Sequence, residues 1–307
     1  MPSPTLPAGK AVRDPGELAQ NFEKLGYITD PALATAVYLA VNLAKPLLLE
    51  GHAGLGKTEV AKVLASHLGT RLIRLQCYEG LDISSAVYEW NYQKQLLAIK
   101  IEEKTGLSVE EKEKHIFSHD FLLERPLLQA VQEESASPIL LIDEVDRADE
   151  AFEAFLLELL SDFQISIPEL GTIKARHVPL VILTSNRSRE LGDALKRRCL
   201  YHWIEYPSAE KEMKIVAAHL PDIGPALEKQ VVGFVQSVRK LNLMKAPGIA
   251  ETLDWAQALM SLGKSRLDAE AVEDTLGCLS KSKEDAARIR AAGIENMLTE
   301  VGKRVGR

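Results

Sequence analysis

Eight residues near position 50 have the types and spacing of a phosphate cradle. Gly51-His52-Ala53-Gly54-Leu55-Gly56-Lys57-Thr58 fits the pattern G-x-x-x-x-G-K-[ST]. The glycines let the backbone curl so that successive N–H groups point at one centre, where the β- and γ-phosphates of a nucleoside triphosphate would lie. A helix starting at the end of the loop adds the favourable end of its dipole. Lys57 brings a point charge to the same oxygens, and Thr58 offers a hydroxyl to Mg2+. Glu59 follows and completes the stretch expected to line the nucleotide. ATP and Mg2+ are the cofactors this pattern predicts.

A second constellation lies downstream. Pro138-Ile139-Leu140-Leu141-Ile142-Asp143-Glu144 is an apolar run ending in two acids. Such runs suit the centre of a parallel sheet, where ligands gather at the carboxyl ends of the strands. Asp143 is expected to hold Mg2+ through water, and Glu144 is the candidate general base that aligns and deprotonates the attacking water. Another apolar stretch, 179–185, ends at Asn186. That amide either hydrogen-bonds the attacking water or the γ-phosphate, or is a turn residue. Asp193-Ala194-Leu195-Lys196-Arg197-Arg198 follows. Its arginines are either a solvated basic helix end or a cation supplied to a neighbouring subunit's ATP.

The elements that must position these groups can be read in chain order. Asp14 and Asp30 each precede a proline and predict helix starts, with Glu17 at the capping-box position of the first. The second helix should run over 32–43. Residues 46–49 read as strand, and 59–68 as helix, with Val60, Val63, Leu64 and Leu68 at helical spacing. Residues 71–77 alternate as a strand. An inserted segment over about 78–119 comes next. Within it, 89–101 partly alternates through Trp90, Tyr92, Leu96, Leu97, Ile99 and Ile101, which predicts a hairpin. The charge-rich run 102–115, with Gly106 in its middle, is a solvated turn or helix face, or a mobile loop that touches a partner. Residues 121–131 predict a helix locally disturbed by Pro126, and 151–163 predict another. Residues 165–175 predict a β-hairpin about Leu170-Gly171-Thr172, and 201–206 the last strand.

From Pro207 onward the pattern is helical only, over 208–220, 225–243, 250–262, 268–279 and 282–301, with Trp255 and Met260 in the core. The predicted fold is therefore α/β: a P-loop parallel sheet flanked by helices over 1–206, followed by an all-helical domain over 207–307.

Bulk properties narrow the function classes. The chain has 307 residues, 46% hydrophobic and 26% charged, with a formal net charge of −7. That balance weighs against broad binding to nucleic acid. Cys77, Cys199 and Cys278 are widely separated, which supports neither a disulfide framework nor a structural zinc site and suggests a reducing, cytoplasmic setting. The start lacks a basic and then apolar stretch, so no signal peptide is expected. The longest apolar stretch, 32–49, is broken by Asn42, Lys45 and Pro46 and reads as helix then strand, so no membrane span is expected.

The loop GHAGLGKT at 51–58, LLIDEVDRA at 140–148, SN at 185–186, DALKRR at 193–198 and the helical C-terminal region together resemble an AAA+ ATPase. DEVDRA, the segment after Cys77 and the hairpin at 165–175 are similar to the MoxR family. YEGLD at 78–82, RPLLQAV at 125–131 and KAPGIAETLDW at 245–255 look closest to its CoxD-like subgroup, encoded beside molybdenum hydroxylases such as carbon monoxide dehydrogenase. The resemblance implies that the all-helical domain over 207–307 is a lid domain, and it implies a ring, usually a hexamer, with ATP between subunits. It also implies a partner with a von Willebrand factor A domain and a chaperone role in maturing a client metalloenzyme. By the same resemblance Lys57, Thr58, Asp143 and Glu144 match the Walker residues, and Asn186 matches sensor 1. Arg198 matches the arginine finger best, with Arg197 the alternative. One departure stands out: where many lids place a sensor 2 arginine, Gly248-Ile249-Ala250-Glu251 offers Glu251.

Overall fold

The computed structural model describes residues 4–7, 12–102 and 108–305. These divide into two compact units. One comprises the described residues up to Asn21 with Asp30–Glu50 and Thr58–Trp203; the other comprises Phe22–Thr29, Gly51–Lys57 and the residues from Ile204. The boundary near 204 is close to the change of pattern at Pro207. The phosphate loop itself groups with the helical unit.

The chain opens with α1 (Pro15–Lys24) and α2 (Pro31–Leu43). Asp14 and Asp30 cap them, their carboxylates accepting from Glu17 N at 2.9 Å and Leu33 N at 2.8 Å. Strand β1 (Leu47–Gly51), helix α3 (Lys57–Leu68) and strand β2 (Leu72–Gln76) follow. The inserted segment contains α4 (Ile83–Ala86), β3 (Tyr88–Trp90), α5 (Tyr92–Glu102), α6 (Val109–Ile116) and β4 (Leu122–Glu124). Then come α7 (Pro126–Gln132), β5 (Ile139–Asp143), α8 (Glu150–Asp162) and the hairpin β6 (Gln164–Ile167) and β7 (Gly171–Lys174). The unit closes with β8 (Leu180–Ser185), α9 (Asp193–Lys196) and β9 (Leu200–Ile204).

The main sheet has the order β2-β5-β8-β1-β9. β5 and β8 are buried along their whole length, as continuous apolar runs flanked by helices must be. Their core partners include Leu127, Leu128 and Val131 of α7 and Phe152, Leu156 and Leu159 of α8. Register matters for the chemistry. β5 runs parallel to β8 with Ile142 opposite Leu183, which brings the next residues, Asp143 and Thr184, side by side.

The helical unit contains α10 (Ala209–His219), α11 (Pro225–Val238), α12 (Ile249–Ser261), α13 (Ala269–Leu279), α14 (Lys283–Ala291) and α15 (Ile294–Val305). Trp255 is fully enclosed in its core beside Phe234, and its Nε1–H donates to Thr275 Oγ1 at 2.7 Å. No described helix is long and apolar enough to cross a membrane.

Four local expectations are corrected. The hairpin expected over 89–101 is a three-residue strand followed by helix α5, and β3 pairs instead with β4, antiparallel. Asn91 starts that helix by accepting from Lys94 N at 3.0 Å. The helix expected over 121–131 begins only at Pro126, which occupies its first turn and so initiates rather than disturbs it. The helix beginning at Pro225 ends at Val238 rather than 243. The last helix is two, divided at Gly293, whose φ of +81° no helix interior accommodates. In the charge-rich run, Val109–Ile116 forms α6, preceded by Ser108 as N-cap in a capping box with Glu111; Gly106 lies outside the described residues.

Candidate nucleotide site

The loop begins where β1 ends. Gly54 and Gly56 have φ of +76° and +81°, the left-handed region in which a side chain is strained, so these two glycines shape the curl. Leu55 is buried, anchoring the loop, while His52 and Ala53 are exposed. The Lys57 ammonium is buried and donates to the Gly51 and His52 carbonyls at 2.7 and 2.6 Å. Glu59 turns to Lys62, 2.9 Å away on the exposed face of α3.

In the same unit, the start of α12 meets the loop. The N–H groups of Ile249 and Ala250 donate to the Gly54 carbonyl at 2.9 and 3.1 Å. Glu251 Oε2 accepts from Gly248 N at 2.9 Å, closing the first turn of its own helix. A Cβ added at Gly54 would stand 2.8 Å from that Oε2. The His52 ring stacks on Tyr206 at 5.1 Å between centroids, and the Arg239 guanidinium covers Tyr206 at 5.1 Å. Arg239 is itself held by fully buried Glu212 through two contacts of 2.6 Å. Where a cationic lid residue would be sought, this chain has an anion engaged with its own backbone and helix N–H groups bonded to the loop.

The acid pair belongs to the sheet unit. Asp143 is buried at the end of β5. Its Oδ1 accepts from Thr58 Oγ1 at 2.9 Å and from Thr184 Oγ1 at 2.5 Å. Its Oδ2 accepts from Arg74 Nε at 3.1 Å and Nη2 at 2.5 Å. A hydroxyl and a carboxylate 2.9 Å apart form a hard-oxygen donor set that fits Mg2+.

Glu144 follows with φ +53° and ψ +49°, a sparsely populated conformation for a side-chain-bearing residue. It is held there because Glu144 N donates to Thr184 Oγ1 at 2.9 Å. The carboxylate is gripped at both oxygens: Asn186 Nδ2 donates to Oε1 at 3.2 Å, and Arg147 Nε lies 2.7 Å from Oε2. Its side chain is about a third exposed (31%), enough to meet water.

The structure thus joins Thr58 to Asp143 and Glu144 to Asn186. It leaves the two arginines apart from that cluster within the sheet unit. Arg198 Nε donates to Ser161 Oγ at 2.6 Å and its Nη1 to the Ala194 carbonyl at 2.9 Å. Arg197 is exposed and makes no side-chain hydrogen bond among the described residues.

Sequence reasoning missed four residues that organise the site. Arg74 and Thr184 fill the remaining acceptor positions of Asp143. Arg147 holds Glu144. Asp146, also buried, accepts from Asn186 N at 3.2 Å and from Ser188 N and Oγ, both at 2.7 Å, so it fixes the turn that carries Asn186. Asp146 and Arg147 lie in the stretch DEVDRA, but their type alone marks them as surface charges. This density of carboxylates has a side effect: burial, then Asp143, Asp146 and Glu144, push the Cys77 thiol up to about 12.

The gas vesicle ATPase GvpN of Haloferax mediterranei is 26% identical over 217 residues, a match covering 65% of this chain and 58% of that protein. Among solved structures, a RuvB point mutant from Thermotoga maritima is similar at 18% identity, over 88% of this chain and 72% of that one, with a TM-score of 0.47. The RuvB Holliday junction branch migration motor of the same organism is 18% identical over 87% and 71%, with a TM-score of 0.46. The model of the AAA domain, dynein-related subfamily, matches residues 46–199, and with half of its length so matched the chain belongs to that family.

Proposed function

We propose that the chain is a MoxR-type AAA+ ATPase that hydrolyses ATP to remodel a client protein. The observation that carries the hydrolytic part is the pairing of a Thr58–Asp143 oxygen set with a general base, Glu144, oriented by Asn186. A relative named a gas vesicle ATPase supports the same reaction. In this reading the loop N–H groups and Lys57 bind the phosphates, and Thr58 and Asp143 would hold Mg2+, which would supply neutralisation of the phosphate charge. Asn186 fixes the direction of Glu144, whose free lone pairs accept the proton of the attacking water. Arg198, or Arg197, serves the ATP of the neighbouring subunit in a ring, which the exposure of both residues permits.

The finer reading is a chaperone for metal-cofactor assembly of a molybdenum hydroxylase such as carbon monoxide dehydrogenase, acting with a von Willebrand factor A domain protein. It rests on the CoxD-like stretches at 78–82, 125–131 and 245–255. The test is a trap. Glu144→Gln protein is held in ATP, with ADP as control, and bound proteins are identified by mass spectrometry. A von Willebrand-type partner or a molybdenum enzyme retained only in ATP is the expected result. Nucleic acid or replication proteins in its place would overturn the chaperone reading.

A further inference from the structure

A carboxylate offers two oxygens and about four lone-pair directions. At Asp143 all four are taken by protein donors: Thr58 and Thr184 hydroxyls at Oδ1, and Arg74 Nε and Nη2 at Oδ2. A water carried by a divalent cation is also a donor, so it can reach Asp143 only if one of the four withdraws.

The four are not equally held. Thr184 is buried and its Oγ1 also receives Glu144 N, so its withdrawal would release the Glu144 backbone. Thr58 is itself in the cation's donor set. Arg74 differs on each count. It sits on β2, an edge strand of the sheet, with its side chain about half exposed (49%). It also has a second acceptor, Gln76 Oε1, at 2.5 Å on the same strand face. Its guanidinium brings to Asp143 the positive charge that the cation would otherwise bring.

We propose that Arg74 is a displaceable counter-ion of Asp143, a positioning residue that stands in for the divalent cation and must swing to solvent and Gln76 when Mg2+-nucleotide binds. This rests on the reading of Thr58 and Asp143 as the Mg2+ site. Arg74 thereby sets how much Mg2+ the site requires, and it keeps a buried carboxylate compensated whenever the cation is away.

The test uses the full chain and a fluorescent ADP, titrated with Mg2+ alone, with thermal melting as a second readout. Arg74→Ala should lower the Mg2+ midpoint for nucleotide binding by about ten-fold, the scale of removing one half-exposed competing charge. Arg74→Lys keeps the charge but not the two-point contact and should fall between. The melting temperature of Arg74→Ala should drop without Mg2+ and recover with Mg2+-ADP, so that the ligand-induced rise is larger than in the wild type. An unchanged midpoint with equal melting losses in both conditions would overturn the proposal and leave Arg74 a structural residue. Should Arg74→Ala not fold, Arg74→Gln retains a donor and length and carries the same expectation for the midpoint. Mg2+-independent nucleotide binding by the wild type would overturn the Mg2+ reading itself, a result distinguishable from an unmoved midpoint.

Discussion

Thr58 Oγ1 donates to Asp143 Oδ1 at 2.9 Å, across 85 positions of chain. The contact ties the first turn of the helix after the phosphate loop to the end of a central strand two strands away from it in the sheet order. Thr58→Val keeps the shape of the side chain and removes only the hydroxyl. It should weaken Mg2+-dependent nucleotide binding by at least about ten-fold, roughly 1.4 kcal/mol, while nucleotide binding without Mg2+ is little changed. Isothermal titration with and without Mg2+ checks this. Equal losses in both conditions would mean that Thr58 acts on the loop and not on the cation.

Asp146 should matter for structure as much as for turnover. Its carboxylate receives two backbone N–H groups and the Ser188 hydroxyl in a buried position. Asp146→Ala would strand these donors at a cost of about 2–4 kcal/mol. The expected outcome is a melting temperature lower by several degrees and a loss of turnover, because the turn no longer aims Asn186 at Glu144. Asp146→Asn keeps acceptor capacity and should recover part of both. A variant with unchanged melting would remove Asp146 from this role.

Two cysteines should resist alkylation. Burial, joined by three nearby carboxylates, puts the Cys77 thiol at about 12, and burial alone puts Cys199 at about 12 against the opposing pull of Arg198. The raised values mean that the reactive thiolate is scarce: at pH 8 it is about one part in ten thousand. Native protein treated with iodoacetamide at pH 8 should therefore stay unmodified at both positions by peptide mass mapping, with labelling rising only as the pH approaches the thiol values or on denaturation. Rapid labelling of Cys77 at pH 8 in the native protein would contradict the enclosed carboxylate environment described around Asp143.

Much of this site was legible because its residues sit where local pattern and chemistry coincide. The loop 51–58 has its own spacing, and the acids at 143–144 end an apolar run that only a buried strand explains. What stayed hidden depends on register and on long-range placement. Thr184 is one more β8 residue until the sheet pairing sets it beside Asp143. Arg74 alternates outward on β2 like any solvated arginine, and only the pairing with the neighbouring strand sets it against the Asp143 carboxylate. The hairpin expected over 89–101 failed for a related reason. Helix α5 encloses Gln95, which donates to the Ile116 carbonyl at 2.9 Å, and Glu102, which meets His115 at 2.5 Å, while Tyr92, Leu96 and Leu97 face outward. A helix that buries polar groups and exposes apolar ones lacks the periodicity by which helices are read. Glu251 shows the opposite case: the missing arginine was visible, but its engagement with Gly248 N and the bond of α12 to Gly54 were not.

The most direct measurement is ATP turnover by Glu144→Gln beside wild type, with ATP affinity determined on the same preparations. The substitution keeps the side-chain shape, and the amide can still accept from Asn186, but it cannot take a proton from water. The account predicts ATP affinity within a few-fold of wild type and turnover lower by about 100-fold or more. Turnover close to wild type with affinity retained would contradict it, and would place the base at a residue other than Glu144.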